Sequence, residues 1–413
     1  ALTALKAGFK VIGFDIDQQR VEQLSQGECA IKHIDTAALR EAVARQSFRA
    51  TCDFDELATP DAILIAVPTP LNRNREPDLT FVENSTREIA RRLRRGQLVV
   101  LESTTWPGTT AQVMKPVLEA GGLVSGKDFY LAYSPEREDP GNAHYGTASI
   151  PKVVGADDES SLAAANALYQ ALVVRTVPVS SAATAEAVKL TENIFRAVNI
   201  ALVNELKVIY DRMGIDVWEV IEAAKTKPFG YMPFYPGPGL GGHCIPIDPF
   251  YLTWKAREYD VTTKFIELAG EINTAMPHYV VERLAEALDQ RCGRGLKGAR
   301  ILVIGLAYKK NIEDPRESPA LKLMELIERR GGRADYHDPF IKAIPNMRAH
   351  PQLAGRISQP LDADTVAAYD AVLIATDHDD IDWRSLVANA KLVVDTRNVC
   401  QRSGISAAHI VKA

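Results

Sequence analysis

One loop of the chain, between Phe234 and Pro249, combines unusual backbone freedom with two reactive side chains. It holds four glycines and several prolines, and such a segment forms neither a stable helix nor a central strand. Cys244 offers a thiol, and Asp248 offers a carboxylate four residues later. Because main chain with few side chains can approach a ligand closely, the loop predicts a site in which Cys244 is a catalytic nucleophile.

Two other interpretations of Cys244 follow from its chemistry alone. Most free cysteines are small buried hydrophobic residues, and a lone cysteine favours that interpretation. The surrounding loop reverses this preference in favour of the nucleophile. A metal site at the adjacent His243 and Cys244 is disfavoured, because neighbouring residues rarely complete a tetrahedral site and no further ligands cluster beside them in the sequence. We therefore expect no metal.

Length and charge limit the class of protein. The chain has 413 residues and a formal net charge of −5, which predicts two or three domains and argues against a nucleic-acid partner. No apolar run reaches the roughly 20 residues that span a bilayer, and no leader-like segment opens the sequence, so we expect neither a membrane partner nor export. The cysteines lack CxxC spacing, which predicts a reducing, cytoplasmic setting without a disulfide framework; they are Cys29, Cys52, Cys244, Cys292 and Cys400.

Apolar strands alternate with amphipathic helices over the first part of the chain. This alternation predicts a parallel sheet covered on both faces. The predicted strands are 9–15, 62–67, 98–101 and 129–132, and the predicted helices are 18–25, 79–94 and 109–119. Too few residues precede Gly8 to hold the strand and glycine-rich turn that open such a domain, so we expect that first turn to be missing. Asp15 after the first strand fits adenosine-ribose binding, while a turn or helix cap at Asp15 or Asp17 is equally compatible.

The middle part of the chain has a helical pattern, and the last part returns to the α/β pattern. A nearly continuous helix is predicted from Thr184 to about Ala224, broken at Gly214, and its apolar residues suit either a dimer seam or an ordinary core helix. From Leu296 the α/β pattern returns, with strands at 300–305, 334–336, 371–375 and 392–395 and a helix at 320–330. The predicted fold is α/β, with two Rossmann-like doubly wound domains joined by a long central helix and a cleft between them.

The loop from Gly237 to Asp248 matches the pattern GxGxGGxCxxxD at every fixed position. On this motif, and over almost its whole length, the chain resembles the UDP-glucose/GDP-mannose dehydrogenase family. The run from Lys227 to Leu252 is similar to the branch that acts on UDP-N-acetylglucosamine and serves polysaccharide biosynthesis. UDP-glucose, UDP-N-acetylmannosamine and UDP-N-acetylgalactosamine stay open as alternatives. The resemblance implies an NAD-binding domain at 1–180, a central dimerisation domain carrying the Cys loop at 181–290, and a UDP-sugar-binding domain at 291–413.

The implied reaction explains the need for a thiol. Oxidation of the C6 hydroxyl to an acid takes two hydride transfers, to two NAD⁺, through an aldehyde. A thiolate captures that aldehyde as a thiohemiacetal, the second hydride transfer gives a thioester, and water releases the acid. Covalent capture therefore divides a difficult oxidation into accessible steps and retains the reactive aldehyde.

The resemblance implies supporting catalytic residues. Lys189 and Asn193, one helical turn apart, are expected beside the reacting carbon, where Lys189 stabilises developing oxyanions. Without the family, Lys189 would be interpreted as a solvated helix lysine. Asp248 and Thr104 are expected to position the hydrolytic water, although Asp248 before Pro249 could simply start a turn. Glu136 is expected to act as a general acid, a general base or a holder of water.

One position departs from the family pattern. UDP-glucose enzymes carry a second glutamate where this chain has Pro140. The departure disfavours a mechanism with two glutamates and favours an N-acetylated or otherwise different sugar. Glu138 or Asp139 could replace the missing carboxylate, but neither is predicted to do so.

The ligand contacts implied by the resemblance fall into two groups. Arginine and lysine suit a UDP pyrophosphate because their N–H groups pair with phosphate oxygens. NAD is expected to contact Asp15, Arg20, Thr69, Ser103, Thr104 and Arg316. The nucleotide sugar is expected to contact Phe234, Tyr235, Gly237, Gly241, Tyr308, Lys309 and Arg397.

Two other classes of function compete with the dehydrogenase that makes an acid. A one-step NAD-linked alcohol or hydroxyacid dehydrogenase shares the architecture but needs no thiol trap, so Cys244 disfavours it. If the glycine-rich turn is truly absent, the chain could be a non-catalytic UDP-sugar-binding protein. The retained catalytic positions favour the enzyme, with a homodimer or higher homo-oligomer formed through the central helix.

Overall fold

The computed structural model divides the chain into two compact units. One comprises residues 1–192 with 257–259, and the other comprises 193–256 with 260–413. The boundary falls inside the long helix Ala182–Met213. The structure describes residues 1–29, 35–72, 76–139, 145–242, 245–347 and 349–413. The predicted nucleophile Cys244, together with His243 and Pro140, lies outside these described residues.

The first unit contains two sheets. β1 (Val11–Phe14) and β2 (Phe48–Thr51) form a parallel pair. The second sheet has the order β3-β4-β5-β6-β7, with β3 (Ala62–Ile65), β4 (Leu98–Leu101), β5 (Tyr130–Tyr133), β6 (Lys152–Gly155) and β7 (Thr176–Val179). Its strands are parallel except for the pairing of β5 with β6, which is antiparallel.

The predicted strands β3, β4 and β5 pair in parallel, and the antiparallel pairing involves β6, which the sequence did not predict. A parallel return needs a crossover connection, usually an α-helix. In the described residues between β5 and β6 the only helical segment is a single 3₁₀ turn, Thr147–Ser149, so the chain reverses direction. The next connection contains a full helix, and β7 accordingly returns parallel to β6.

Three helices of the first unit begin at aspartates that cap their free N–H groups. Asp17, Asp35 and Asp158 each accept hydrogen bonds from the first turn that follows them, which satisfies donors that have no partner within the helix. The helices are α1 (Leu2–Lys6), α2 (Gln18–Ser25), α3 (Thr36–Ala44), α4 (Thr80–Ala90), α5 (Lys115–Glu119), α6 (Glu159–Gln170) and the start of α7 (Ala182–Met213). A 3₁₀ segment covers Phe54–Ala58, and a π-helical turn, Thr110–Met114, precedes α5.

Glu186 on α7 anchors the turn that follows β4. Its buried carboxylate accepts the main-chain N–H of Gly108 at 2.5 Å, the N–H of Thr110 at 2.9 Å and the Thr110 hydroxyl at 2.7 Å. Burial raises the pKa of Glu186, and these three hydrogen bonds oppose that rise. Because buried donors without partners are costly, Glu186 fixes the main chain just beyond Thr104.

The second unit is built on one parallel sheet of order β12-β11-β10-β8-β9. The single open parallel sheet predicted for this segment is therefore confirmed. Its strands are β8 (Arg300–Ile304), β9 (Arg333–His337), β10 (Ala371–Ile374), β11 (Val393–Asp395) and β12 (Ile410–Lys412). The helices are the rest of α7, α8 (Val217–Lys225), α9 (Asp248–Arg257), α10 (Phe265–Cys292), α11 (Pro319–Arg329), α12 (Ala363–Ala367), α13 (Trp383–Asn389) and α14 (Val399–Arg402), with a 3₁₀ turn at Pro351–Leu353.

Buried apolar side chains cover both faces of this sheet. Successive residues of a strand point to opposite faces, so Ile301 and Val303 of β8 pack with α10 and α11. Leu302 and Ile304 instead pack against α13 and α14. The near-continuous apolar runs that predicted these strands reflect this burial on two sides.

No helix in the described part of the chain is both long and apolar enough to cross a membrane.

The predicted break of the long helix at Gly214 is confirmed, because α7 ends at Met213 and α8 begins at Val217. The 28-residue α10 was not predicted, and Pro277 lies inside it, where proline disfavours a helix.

Candidate active site

Two buried asparagines of the second unit hold the glycine-rich loop. The N–H of Gly237 donates to Oδ1 of Asn204 on α7 at 3.0 Å. Nδ2 of Asn204 donates to Oδ1 of Asn273 on α10 at 2.8 Å, and Nδ2 of Asn273 donates to the carbonyl of Ala197 at 3.1 Å. Since buried polar groups are stable only when bonded, this chain of hydrogen bonds fixes where the loop begins.

Close packing fixes the same loop from its other side. A Cβ at Gly241 would lie 2.6 Å from Cβ of Tyr308 and 3.0 Å from Cδ of Pro319, so no side chain fits there. At Gly237 a Cβ would lie 2.6 Å from Nη1 of Arg397, whose guanidinium therefore borders the loop. Four of the expected nucleotide-sugar contacts, two glycines with Tyr308 and Arg397, are thus neighbours in this unit.

Asp248 and Asn193 form a buried pair. Nδ2 of Asn193, on α7, donates to Oδ2 of Asp248 at 2.5 Å, and both residues are almost fully buried. Asp248 is the first residue of α9, so a turn-starting role and a paired role coexist. The sequence predicted the two residues separately, and the structure brings them together.

Lys189 in the first unit is buried, contrary to the alternative of a solvated helix lysine. It is 9% exposed, and its Nζ donates to the main-chain carbonyl of Glu136 at 2.6 Å. The Glu136 carboxylate accepts N–H groups from Arg137 at 2.8 Å and from Glu138 at 2.7 Å. Lys189 and Glu136, two expected catalytic residues, are therefore brought together.

The expected nicotinamide-side residues follow adjacent parallel strands. The Ser103 hydroxyl donates to the carbonyl of Val67 at 2.8 Å and accepts its N–H at 2.9 Å, which ties the ends of β3 and β4 together. Thr69 and Thr104 are half-buried beside this link. Ligands of doubly wound sheets bind outside the carboxyl ends of the strands, so this edge suits a cofactor.

Asp15 and Asp17 make different local contacts. Asp17 caps α2 by accepting the N–H groups of Gln19 and Arg20. Asp15 follows β1; its Oδ1 accepts the N–H of Asp17 at 3.0 Å and its Oδ2 pairs with Nη1 of Arg20 at 2.9 Å. A partly exposed carboxylate at a strand end can accept bonds from ribose hydroxyls, so this part of the unit fits the adenosine half of NAD.

A buried Asp–His pair, missed in the sequence, supports the loop of Tyr308 and Lys309. Oδ2 of Asp338 accepts N–H groups from Leu306 at 2.6 Å and Ala307 at 3.0 Å, and lies 3.1 Å from Nε2 of His378. Nδ1 of His378 accepts the N–H of Asn311 at 3.0 Å. Burial acts to raise the pKa of Asp338, but its hydrogen bonds, led by that of His378, hold it below its usual value. Asp338 directly follows β9, and that position was the available signal.

Three other expected contacts are engaged with the protein itself. Tyr235 stacks on Trp218 with ring centroids 5.7 Å apart, and its hydroxyl donates to Glu222 at 2.6 Å. Phe234 packs edge-on against Phe195, also at 5.7 Å. Arg316 pairs with Asp314. Among the described residues no cluster of three potential metal ligands occurs, and the four described cysteines are free thiols.

Models of one protein family match three successive parts of the chain. The NAD binding domain of the UDP-glucose/GDP-mannose dehydrogenase family matches residues 1–173, its central domain matches 183–275, and its UDP binding domain matches 302–402. The chain belongs to the UDP-glucose/GDP-mannose dehydrogenase family. The predictions of an NAD-dependent UDP-sugar dehydrogenase and of two Rossmann-like domains joined by a long helix are thereby confirmed.

Similar members of this family cover most of the chain. The UDP-N-acetyl-D-glucosamine 6-dehydrogenase of Pseudomonas aeruginosa is 36% identical over 370 residues, spanning 89% of this chain and 85% of that protein. The NDP-N-acetyl-D-galactosaminuronic acid dehydrogenase of Ralstonia nicotianae is 36% identical over 411 residues, spanning 96% and 92%. The structure of the UDP-D-ManNAc dehydrogenase of Pyrococcus horikoshii superposes with a TM-score of 0.88 at 33% identity, covering 100% of this chain and 94% of that one.

Replacement of Gly241 by alanine tests the close packing of the loop. The added Cβ must push the loop away from Tyr308, and overpacking of this kind costs about 1–3 kcal/mol. We expect UDP to bind about tenfold more weakly or worse, measured by isothermal titration calorimetry. Gly295→Ala is the matched control, because a Cβ there meets open space. Equal affinities of the two variants would contradict the account of the loop.

Proposed function

We propose that this enzyme oxidises the C6 hydroxyl of UDP-N-acetylglucosamine to the carboxylate, with Cys244 as the covalent nucleophile. The observation that carries the proposal is the buried hydrogen bond between Asn193 and Asp248. It holds a carboxylate in place four residues after the thiol, in a loop that is fixed independently at Gly237. A thioester needs a positioned group that orients water, and Asp248 suits that role.

The first hydride transfer converts the C6 alcohol to an aldehyde. The Cys244 thiolate adds to the aldehyde carbon and forms a thiohemiacetal, so the aldehyde is not released. Loss of a second hydride converts the thiohemiacetal to a thioester, and attack by water then gives the acid and returns the thiol. NAD, when bound, accepts the hydride in each oxidation. Thr104 and Asp248 orient the water, while Lys189, an ammonium with little access to solvent, stabilises the developing oxyanion.

The cofactor is assigned to the first of three segments, residues 1–180. Asp15 with its partner Arg20 holds the adenosine ribose. Thr69, Ser103 and Thr104 line the nicotinamide side at the ends of β3 and β4. Arg316, from the third segment, is also assigned to the cofactor.

The nucleotide sugar is assigned to residues 291–413 and to the glycine-rich loop of the central segment, residues 181–290. Arg397 and Lys309 supply positive charge for the pyrophosphate. Gly237 and Gly241 allow the loop main chain to approach the ligand. Support comes from the match to the UDP binding domain and from the packing of the loop against Tyr308. Phe234 and Tyr235 border the sugar.

The identity of the sugar is tested by comparing four substrates. Relatives of this chain are named for N-acetylated sugars, and Pro140 removes the second glutamate expected of a UDP-glucose enzyme. We expect kcat/KM from NADH formation to be highest for UDP-N-acetylglucosamine, ahead of UDP-N-acetylmannosamine, UDP-N-acetylgalactosamine and UDP-glucose. A higher value for any of the other three would reassign the substrate.

Replacement of Cys244 by alanine tests the covalent step. We expect acid formation to fall by about three orders of magnitude or more, while the affinity for the UDP-sugar, measured by calorimetry, stays near that of the parent. Cys292→Ala is the control, because Cys292 is an exposed free thiol. Full conversion to the acid by Cys244→Ala would exclude the covalent mechanism.

We also propose a homodimer formed through α7. Phe195, Leu202 and Ile209 recur every seven residues on this helix and are 49%, 49% and 45% exposed. Apolar residues at this spacing form one seam of a helix, and such seams pack against a second helix. The exposed seam favours this role over that of an ordinary core helix.

Placing a charge in the seam tests the dimer. Leu202→Glu would bury a carboxylate in the interface, so we expect sedimentation velocity to show a monomer where the parent sediments as a dimer or larger oligomer. Val174→Glu, at an apolar residue of the first unit that is 71% exposed, should leave the oligomer intact. A monomeric parent, or an unchanged Leu202→Glu oligomer, would contradict the seam.

A further inference from the structure

A buried lysine of the first unit lies between two carboxylates. Lys152, the first residue of β6, is only 4% exposed. Its Nζ lies 3.0 Å from Oε1 of Glu102 and 3.1 Å from Oε2 of Glu136. A buried ammonium is costly unless it is paired, so these contacts determine where Lys152 points.

Glu102 is the inner of the two partners. Its side chain is 16% exposed, and Oε1 accepts the hydroxyl of buried Tyr169 at 2.7 Å. The Lys152 ammonium also lies 5.3 Å from the centre of the Tyr169 ring. Burial, and then the charge of Glu102, raise the pKa of Tyr169 well above its usual value, so the phenol stays a donor. Glu102 and Tyr169 therefore fix the position of the Lys152 ammonium.

Glu136 is the outer partner, with a side chain 45% exposed. Lys152 binds one carboxylate oxygen, and the N–H groups of Arg137 and Glu138 bind the other. The carbonyl of Glu136 is held separately by Lys189. Both oxygens are thus oriented while part of the side chain still faces solvent.

We propose that Lys152 is a positioning residue for the oxidation, holding the Glu136 carboxylate ionised and oriented so that it can accept a proton. This inference rests on the proposed function and takes up one of the roles that the family resemblance implies for Glu136, that of a general base. Lys152 itself is assigned no contact with substrate or cofactor, and acts through the carboxylate.

The charges around Glu136 agree with this role. Burial acts to raise its pKa, but the charge of Lys152 and the hydrogen bonds from Glu138, Lys152 and Arg137 hold it below its usual value. An acid with a lowered pKa remains ionised until the pH falls through that lower value. The charged and titratable groups on the described elements around it are Lys152 on β6, Glu102 after β4, Tyr169 on α6, Lys189 and Glu192 on α7, and Arg137 and Glu138 in its own segment.

Two substitutions should move the pKa of Glu136 in opposite directions. Lys152→Met removes the neighbouring positive charge, so we expect that pKa to rise by about one unit or more. Glu102→Gln removes a neighbouring negative charge but keeps an acceptor for Tyr169, so we expect the pKa of Glu136 to fall. The pKa is read by carbon-13 NMR of protein labelled at the glutamate side-chain carboxyl carbon, with the Glu136 signal assigned by its loss in Glu136→Gln.

The pH dependence of kcat provides the functional measurement. The acid limb should move to higher pH in Lys152→Met and to lower pH in Glu102→Gln, and Lys152→Arg should keep most of the parent profile. Lys127→Met, at an exposed lysine of the same unit, should leave the profile unchanged. A merely structural loss would instead lower kcat equally at every pH.

The outcomes separate this inference from the function on which it rests. An unchanged pKa of Glu136 in both Lys152→Met and Glu102→Gln overturns the positioning role. If Lys152→Met does not fold, the Glu102→Gln shift decides alone. Full activity of Glu136→Gln at every pH overturns the catalytic role of Glu136 instead, whatever the NMR titration of Lys152→Met shows.

Discussion

At Gly241 the main chain of the glycine-rich loop runs so close to Tyr308 that the position has no room for a side chain. This contact determines the path of the loop in the second unit, and the bond from Gly237 to Asn204 determines where it starts. In the sequence the proposed thiol follows Gly241 by three residues. The loop ends at Asp248, whose carboxylate is held by Asn193. Main-chain contacts at Gly237 and Gly241 therefore fix the described start of the loop, and a side-chain hydrogen bond fixes its end at Asp248.

In each unit, several buried polar groups are bonded to one another and orient main chain or carboxylates. The apolar clusters on the two faces of the second sheet are formed by aliphatic and aromatic side chains. The asparagine pair and the Asp338–His378 pair orient main chain in the second unit, and the Lys152 cluster orients carboxylates in the first. Such groups are costly when any partner is missing, so each cluster also holds its neighbours in one arrangement.

Local patterns in the sequence predicted the elements they encode directly. The apolar run Leu98–Leu101 is β4, and the helix predicted at 18–25 is α2. Contacts between residues far apart in the sequence were not predicted. Nothing in the spacing of Asp338 and His378, or of Lys152 and Glu136, shows that the fold brings each pair together. The helix α10 was missed because Pro277 obscures its pattern, while tertiary packing buries that residue within the helix. The glycine-rich loop could be recognised as a candidate site from the sequence alone, because its composition and its thiol are both local features.

The central claim is that the oxidation passes through a covalent bond to Cys244. It is tested most directly in Asp248→Asn, which should slow release of the acid by water. This variant is mixed with NAD and UDP-N-acetylglucosamine, quenched in acid and examined by mass spectrometry of its peptides. The account predicts a UDP-sugar acyl adduct on Cys244 and two NADH formed for each adduct. Acid formed with two NADH, while the Cys244 peptide carries no adduct at any time, would contradict it.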